Sequence, residues 1–161
     1  MPTERDRRAP PMDRRVRGIH HVGVTVRKLE ASLAFYRDLL GAEVIRISSD
    51  VDVATIVGLP GARARIADLD AGNGQVIELL EYVTSEAQGV LFSRPDTIGS
   101  CHVCLQVEDF DSTLARLARA GVEPVGGAVK LFDEGWQNCT VAYLRDPDGV
   151  IVELLERGRD G

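Results

Sequence analysis

Two histidines and two glutamates occupy matching places in the two halves of this sequence. His21 and His102 each begin a short alternating stretch, HVGVTV and HVCLQV, and Glu78 and Glu153 lie inside the apolar runs VIELLE and IVELLE. An ionised carboxylate is costly to bury without a partner. Neutral imidazole and carboxylate are ordinary ligands of zinc, nickel, manganese, iron or cobalt. The four residues therefore predict one bound divalent metal ion per chain, its identity left open.

Strand geometry indicates which way the two histidines point. Side chains alternate across a strand, so the valines that follow His21 fall on one face and His21 falls on the other. The same alternation separates His102 and Cys104 from Val103 and the apolar residues that follow it. We expect both histidines to lie on faces that no helix covers. VIELLE and IVELLE are too uniformly apolar for this reasoning, and their faces stay unassigned.

The elements around these residues are also duplicated. The segment HHVGVTVRKLEASLAFYRDLLGAEV matches CHVCLQVEDFDSTLARLARAGVEPV, and each reads as a strand, a polar break and an amphipathic helix that ends at glycine. The helix stripes are Leu29, Leu33, Tyr36 and Leu40 in the first half and Phe110, Leu114 and Leu117 in the second. Further strands are predicted at Val44–Ser48, Arg63–Leu69 and Thr140–Leu144. Each half is therefore predicted to be a β-α-β-β-β module.

Two such modules predict an α+β fold. Each helix covers one face of its sheet, and the uncovered faces can be buried if the halves curl toward each other around a shared concavity. We expect a single domain over residues 18–161, made of repeats at about 18–85 and 98–157. Residues 1–17 contain six arginines and three prolines without an apolar run, and are expected to form a disordered basic arm.

Composition narrows the class of function. The formal net charge of -6 argues against a nucleic-acid-binding protein, and no apolar run in the N-terminal arm could act as a signal peptide or a membrane span. Three cysteines are not the even set of a disulfide framework, which favours a reducing compartment. We therefore expect a cytoplasmic protein that acts on a small molecule, with neither nucleic acid nor membrane as a partner.

Other reactive residues give weaker signals. Cys101 and Cys104 form a C-x-x-C, but on a strand they lie on opposite faces, so only Cys104 is expected to line the site beside His102. His20 is expected on the helix side, as a strand-edge residue and not a ligand. Trp136 falls in a loop, where it could cover the site or cap the core. The DPDG turn at residues 146–149 is explained by turn chemistry alone.

The segments "IHHVGVTVRKLEASLAFYRDLLGAEV", "GQVIELLEY", "SCHVCLQVEDFD" and "YLRDPDGVIVELLE" resemble the vicinal oxygen chelate (VOC) superfamily over nearly the whole chain after Gly18. That superfamily pairs two βαβββ modules into an open barrel around a metal. Its members include glyoxalase I, methylmalonyl-CoA epimerase, extradiol dioxygenases, fosfomycin-resistance enzymes and metal-free bleomycin-binding proteins. The resemblance implies this fold, whereas function must be argued from the site.

The resemblance also implies roles for the four residues. The family's ligand positions fall on His21, Glu78, His102 and Glu153, a set similar to that of bacterial glyoxalase I and nearly that of methylmalonyl-CoA epimerases. It implies an isomerase, epimerase or lyase in which vicinal substrate oxygens chelate the metal and a glutamate moves a proton through an enediolate-like intermediate. Glu153 is the first choice for the base, because it follows the DPDG turn that the resemblance matches best, with Glu78 mainly a ligand.

Two alternative functions stay open, an Fe(II)-dependent extradiol-type dioxygenase and a ligand-sequestering resistance protein without turnover. The DPDG turn resembles glyoxalase and dioxygenase members, while the segment after Asp50 does not resemble the glutathione-contacting part of glyoxalase I. A homodimer is expected. Whether the metal site forms within one chain or across the dimer is not readable from the sequence.

Overall fold

The strands form two separate four-stranded sheets in the computed structural model, which describes residues 16–84, 94–132 and 138–158. Sheet A contains β1 (His21–Thr25), β2 (Glu43–Asp52), β3 (Arg63–Asp70) and β4 (Val76–Tyr82) in the order β1-β4-β3-β2. Sheet B contains β5 (His102–Gln106), β6 (Val129–Leu131), β7 (Cys139–Arg145) and β8 (Ile151–Arg157) in the order β5-β8-β7-β6. In both sheets the first strand pairs parallel to the last strand of its module, and the other pairs are antiparallel.

Each sheet carries one main helix after its first strand, which confirms the prediction of two βαβββ modules. Helix α1 (Leu29–Leu33) continues into a π-helical segment (Ala34–Leu39), and helix α3 (Phe110–Arg119) follows β5. The π-helical segment ends where Gly41 adopts φ +83°, a conformation that glycine reaches without steric cost. A four-residue helix, α2 (Ala54–Val57), lies between β2 and β3 and was not predicted.

The last glutamate of each repeated motif supports the start of the helix in its own module. Oε2 of Glu81 accepts a hydrogen bond from the backbone N–H of Leu29 at 3.1 Å, and Oε1 of Glu156 accepts one from Phe110 at 3.3 Å. The first N–H groups of a helix have no partner within the helix, and a carboxylate is favourable there. The repetition of VIELLE and IVELLE therefore encodes a helix cap as well as a candidate ligand.

One hydrophobic core joins the two modules through their helix-bearing faces. It contains the buried residues Val24, Val26, Leu29, Leu33, Phe35, Tyr36, Ala67, Leu69, Ile77, Leu79, Phe110, Leu117, Ala142, Leu144, Val152 and Leu154. Alternate strand residues point to the opposite side, called here the outer face of each sheet. Within one chain, the halves thus meet through their helices and not through the faces that the sequence analysis placed around a shared concavity.

Polar contacts from the DPDG turn also connect the two modules. The hydroxyl of Tyr36 donates a hydrogen bond to Oδ2 of Asp146 at 3.1 Å, and the backbone N–H of Arg27 donates one to Asp148 at 2.9 Å. Asp146 also accepts hydrogen bonds from the backbone N–H groups of Asp148 and Val150. The turn therefore has a structural role beyond its own geometry.

Among the helices that the structure describes, none is long and apolar enough to cross a membrane.

Candidate metal centre

His21 and Glu78 form a pair on the outer face of sheet A. β1 and β4 run parallel, with Gly23 opposite Glu78. His21 precedes Gly23 by two residues on β1, so its side chain lies on the same face of the sheet as the Glu78 carboxylate. Nε2 of His21 is 3.7 Å from Oε1 of Glu78, and the Glu78 side chain is 21% exposed. Gly23 has no side chain to cover Glu78, which stays accessible from solvent.

His102 and Glu153 form the equivalent pair on the outer face of sheet B, and this pair is tighter. Nε2 of His102 is 2.9 Å from Oε2 of Glu153, whose side chain is only 8% exposed. The register of β5 and β8 places Cys104 opposite Glu153, where the sequence analysis expected a site-lining thiol. Partial desolvation at this exposed position, and then the charge and hydrogen bond of Glu153, raises the pKa of the Cys104 thiol to about 11.

Tyr143 lies next to the His102–Glu153 pair and was not predicted from the sequence. It lies on β7 directly opposite Glu153, and its ring centroid is 5.1 Å from that of His102. Burial raises the pKa of the Tyr143 hydroxyl, and the Glu153 carboxylate raises it further. The alternation in VAYLR could have placed Tyr143 and Val141 on one face, but only the register of β7 with β8 identifies that face as the outer one.

The donor atoms of both pairs fit a divalent ion. Two ligands held about 2.1 Å from one ion, with a bond angle near 90–110°, lie roughly 3.0–3.4 Å apart. The His102–Glu153 separation of 2.9 Å lies just below that range and the His21–Glu78 separation of 3.7 Å lies just above it. Within one chain, however, the described residues contain no group of three or more His, Cys, Asp or Glu residues that could hold a metal. The structure brings the four predicted ligands together two by two, each pair in its own sheet.

Both histidines lie on strands at the edge of a sheet. β1 pairs only with β4, and β5 pairs only with β8, in the part of the chain that the structure describes. An edge strand leaves backbone groups available to another strand. Each half of the ligand set is therefore at a boundary that a second protein surface can reach.

The structure describes two of the three other reactive residues singled out from the sequence, His20 and Cys101. His20 precedes β1, is exposed, and its Nδ1 lies 2.9 Å from Nδ1 of His21, which differs from the expected helix-side position. A residue just outside a strand is not held to the strand's alternation. Cys101 is exposed, and Trp136 lies outside the described residues.

Comparison with known proteins gives a family match over most of the chain. The model of the Glyoxalase/Bleomycin resistance protein/Dioxygenase superfamily matches residues 18–154. A mitochondrial methylmalonyl-CoA epimerase of Mus musculus is 28% identical over 137 residues, covering 84% of this chain and 71% of the relative. The lactoylglutathione lyase-like protein terB of Aspergillus terreus is 32% identical over 150 residues, covering 86% of this chain and 75% of the relative.

A solved structure supports the same fold. The crystal structure of a glyoxalase family protein from Bacillus cereus matches with a TM-score of 0.79 at 22% identity, covering 91% of this chain and 99% of that protein. At this level of identity the likeness concerns the fold.

Proposed function

Because the chain belongs to the Glyoxalase/Bleomycin resistance protein/Dioxygenase superfamily, we propose that it is a metal-dependent isomerase, epimerase or lyase that moves a proton beside a substrate carbonyl. The observation that carries this proposal is the duplicated His–Glu pair, one at the same place in each module. Relatives that bear the names methylmalonyl-CoA epimerase and lactoylglutathione lyase-like protein support the reaction class. The substrate is a small molecule with vicinal oxygens.

We further propose that the complete ligand set forms between two copies of the chain. If β1 of one copy lies beside β5 of a second copy, His21 and Glu78 of the first approach His102 and Glu153 of the second. Two-fold symmetry then generates two equivalent sites per dimer, or one ion per chain. The position of both histidine-bearing strands at sheet edges supports this arrangement. The packing of both modules through their helices also supports it, because the four candidate ligands lie outside the core that this packing forms.

The four side chains have distinct tasks in this proposal. The neutral imidazoles of His21 and His102 and the carboxylates of Glu78 and Glu153 hold the ion. A bound divalent ion supplies Lewis-acid stabilisation of the negative charge that develops on the substrate oxygens.

Proton transfer is assigned to the Glu153 carboxylate. This residue lies on the central strand β8 between Cys104 and Tyr143, so its position is fixed by neighbours on both sides. A base held in place contributes about 10²–10⁴-fold to a proton transfer. The surrounding side chains limit the access of water to the carboxylate, whose side chain is 8% exposed.

The test is exchange of the substrate α-proton with deuterated solvent. Protein reconstituted separately with Zn, Ni, Co, Mn or Fe is screened against acyl-CoA thioesters and 2-oxo hemithioacetals. We expect exchange with at least one metal, and we expect Glu153→Gln to retain metal but exchange at least roughly 10²-fold more slowly. Glu156→Gln, three residues along the same strand, is the matched control and keeps the wild-type rate.

Two results would overturn this proposal. Exchange by Glu153→Gln at the wild-type rate with metal bound would remove the assigned base. Tight binding of these compounds without exchange in any metal-loaded form would identify a ligand-binding protein instead of an enzyme.

A further inference from the structure

Two carboxylates lie side by side on the outer face of sheet A. Asp68 on β3 is directly opposite Glu78 on β4, so both side chains point to the same face. Residues opposite each other on neighbouring strands have Cβ atoms about 4.5–5.5 Å apart, and like charges in that arrangement destabilise the pairing. The Asp68 side chain is 15% exposed and the Glu78 side chain 21%, so solvent and salt screen their repulsion only partly.

Each carboxylate has a partner on the side away from the other. Nη2 of Arg46 on β2 donates a 2.6 Å hydrogen bond to Oδ2 of Asp68, and Oε1 of Glu78 lies 3.7 Å from Nε2 of His21 on β1. The strand order β1-β4-β3-β2 puts these two partners at opposite ends of the row. The Asp68 carboxylate is therefore drawn toward β2 and the Glu78 carboxylate toward β1.

The next row on the same face adds further negative charge. Glu43 on β2 is opposite Asp70 on β3, two residues along from Asp68. The two rows, all of whose residues the structure describes, contain four carboxylates, and Arg46 is the one lysine or arginine in them. Loss of Arg46 would leave these carboxylates without a permanent positive charge in either row.

The second module has no such arrangement. Tyr143 occupies the place opposite Glu153 that Asp68 occupies opposite Glu78. A phenol beside Glu153 creates no repulsion between carboxylates, so the second module needs no arginine at this place. The need for Arg46 therefore follows from the presence of Asp68 beside Glu78.

We propose that Arg46 is a positioning residue: by binding Asp68, it draws that carboxylate away from Glu78 and leaves the Glu78 carboxylate turned toward His21. A role of Glu78 in a reaction rests on the proposed function, whereas this relation between the charges does not. An ordinary ion pair between β2 and β3 would stabilise the two strands without regard to Glu78. The two explanations differ in whether the effect of removing Arg46 depends on Glu78.

The test is a double-mutant cycle between Arg46 and Glu78, which lie two strands apart. Melting temperatures are measured by circular dichroism at pH 7 and about 10 mM ionic strength, where the Debye length is about 30 Å. The variants are Arg46→Gln, Glu78→Gln, their combination, and Arg46→Lys, which keeps the charge. The matched control is Arg63→Gln, alone and combined with Glu78→Gln. Arg63 pairs with Asp50 between the same two strands, roughly 17 Å along β3 from Asp68.

We expect Arg46→Gln to lower the melting temperature by about 2–4 °C, and by about 1–2 °C less in the Glu78→Gln background, where the repulsion is already gone. This dependence on Glu78 should shrink at 1 M salt, where the Debye length is about 3 Å. Arg46→Lys should keep most of the wild-type melting temperature. The loss in Arg63→Gln should be the same in both backgrounds.

An equal loss from Arg46→Gln with and without Glu78→Gln would overturn the inference and identify an ordinary ion pair. A loss that depends on Glu78, in a protein that exchanges no substrate α-proton with any metal, would instead support the role of Arg46 and refute the proposed function.

Discussion

The hydroxyl of Tyr36 in the first module donates a 3.1 Å hydrogen bond to the buried carboxylate of Asp146 in the second module. Both side chains are almost completely removed from solvent. Burial, together with the charge of Asp146, raises the pKa of Tyr36. Burial also raises the pKa of Asp146 against the opposing effect of its hydrogen bonds from Val150, Asp148 and Tyr36. The contact therefore joins the modules at the cost of keeping a carboxylate inside the protein.

Tyr36→Phe should destabilise the chain measurably. The substitution keeps the ring in the core but leaves Oδ2 of Asp146 without its donor, and an unsatisfied buried acceptor costs about 1–3 kcal/mol. Urea denaturation measures this loss. Tyr143→Phe, on the outer face of sheet B, is the control and should change the free energy of unfolding much less. Equal losses in the two variants would show that the Tyr36 hydroxyl has no special role between the modules.

The stability of the chain should also depend on pH through Asp146. Its pKa is raised in the folded protein above the ordinary value of 3.8, so the folded state binds this proton more tightly than the unfolded state. The contribution of Asp146 to stability is then fully present below pH 3.8 and falls as pH rises through the folded pKa. Asp146→Asn keeps an oxygen for the two backbone donors and cannot titrate. The difference in unfolding free energy, wild type minus Asp146→Asn, should decrease between pH 3.8 and neutrality, and a pH-independent difference would contradict the linkage.

The sequence could predict the modules and the side-chain faces, because both depend on local periodicity. Val24, Val26 and the stripe containing Leu29 and Tyr36 are such signals, and the structure buries them as expected, whereas Val22 on the same strand is 37% exposed. The packing of one module on the other depends on contacts between distant segments, such as Tyr36 with Asp146. No periodicity encodes those contacts, so the sequence left open whether the metal site lies within one chain.

The sequence also could not show which face of the sheet each residue of the uniformly apolar motifs occupies. VIELLE and IVELLE contain two glutamates each, three residues apart, and alternation places them on opposite faces of a strand but could not show which face the helix covers. In the structure Glu78 and Glu81 have different tasks, since Glu81 caps helix α1 while Glu78 lies beside His21 on the outer face. The contact of His20 with His21 was missed because His20 lies just before the strand, where alternation no longer applies.

Removal of the two helix-capping glutamates should have unequal effects. Glu81 is buried, accepts from the N–H of Leu29 at 3.1 Å and from Arg65 at 2.9 Å, whereas Glu156 is less buried and its contact with Phe110 is 3.3 Å. Glu81→Ala should cost about 1.5–3 kcal/mol, as expected for hydrogen bonds to a charged group. Glu156→Ala should cost about 1 kcal/mol or less. Thermal unfolding followed by circular dichroism compares the two, and a larger loss in Glu156→Ala would contradict this ranking.

Cys104 should react slowly with alkylating reagents. With a pKa of about 11, the thiolate is a fraction of roughly 10⁻³ at pH 8, and the thiolate is the reactive form. Iodoacetamide labelling followed by peptide mass spectrometry should show a rate at Cys104 that rises with pH up to about pH 11. Glu153→Gln removes a charge that raises this pKa and should accelerate labelling at pH 8, although partial desolvation, the larger cause, remains. Rapid labelling of the wild-type residue at pH 8 would contradict the effect of its surroundings.

Mixing two inactive variants should restore metal binding if the site lies between two copies. His21→Ala and His102→Ala should each lose most of the bound ion, because each homodimer lacks one ligand in both sites. In a mixed dimer one site lacks both histidines, while the other combines the intact His21–Glu78 pair of one copy with the intact His102–Glu153 pair of the other.

When equal amounts of the two variants are unfolded and refolded together and subunits associate at random, about half of the dimers are mixed. Because each mixed dimer has one complete site of two, the sample should recover about one quarter of the wild-type metal content. Elemental analysis after dialysis against a chelator measures this recovery, and refolding each variant alone is the control. Metal loss in both variants without recovery on mixing would contradict a site shared between two copies, and full occupancy in either variant alone would exclude its histidine from the site.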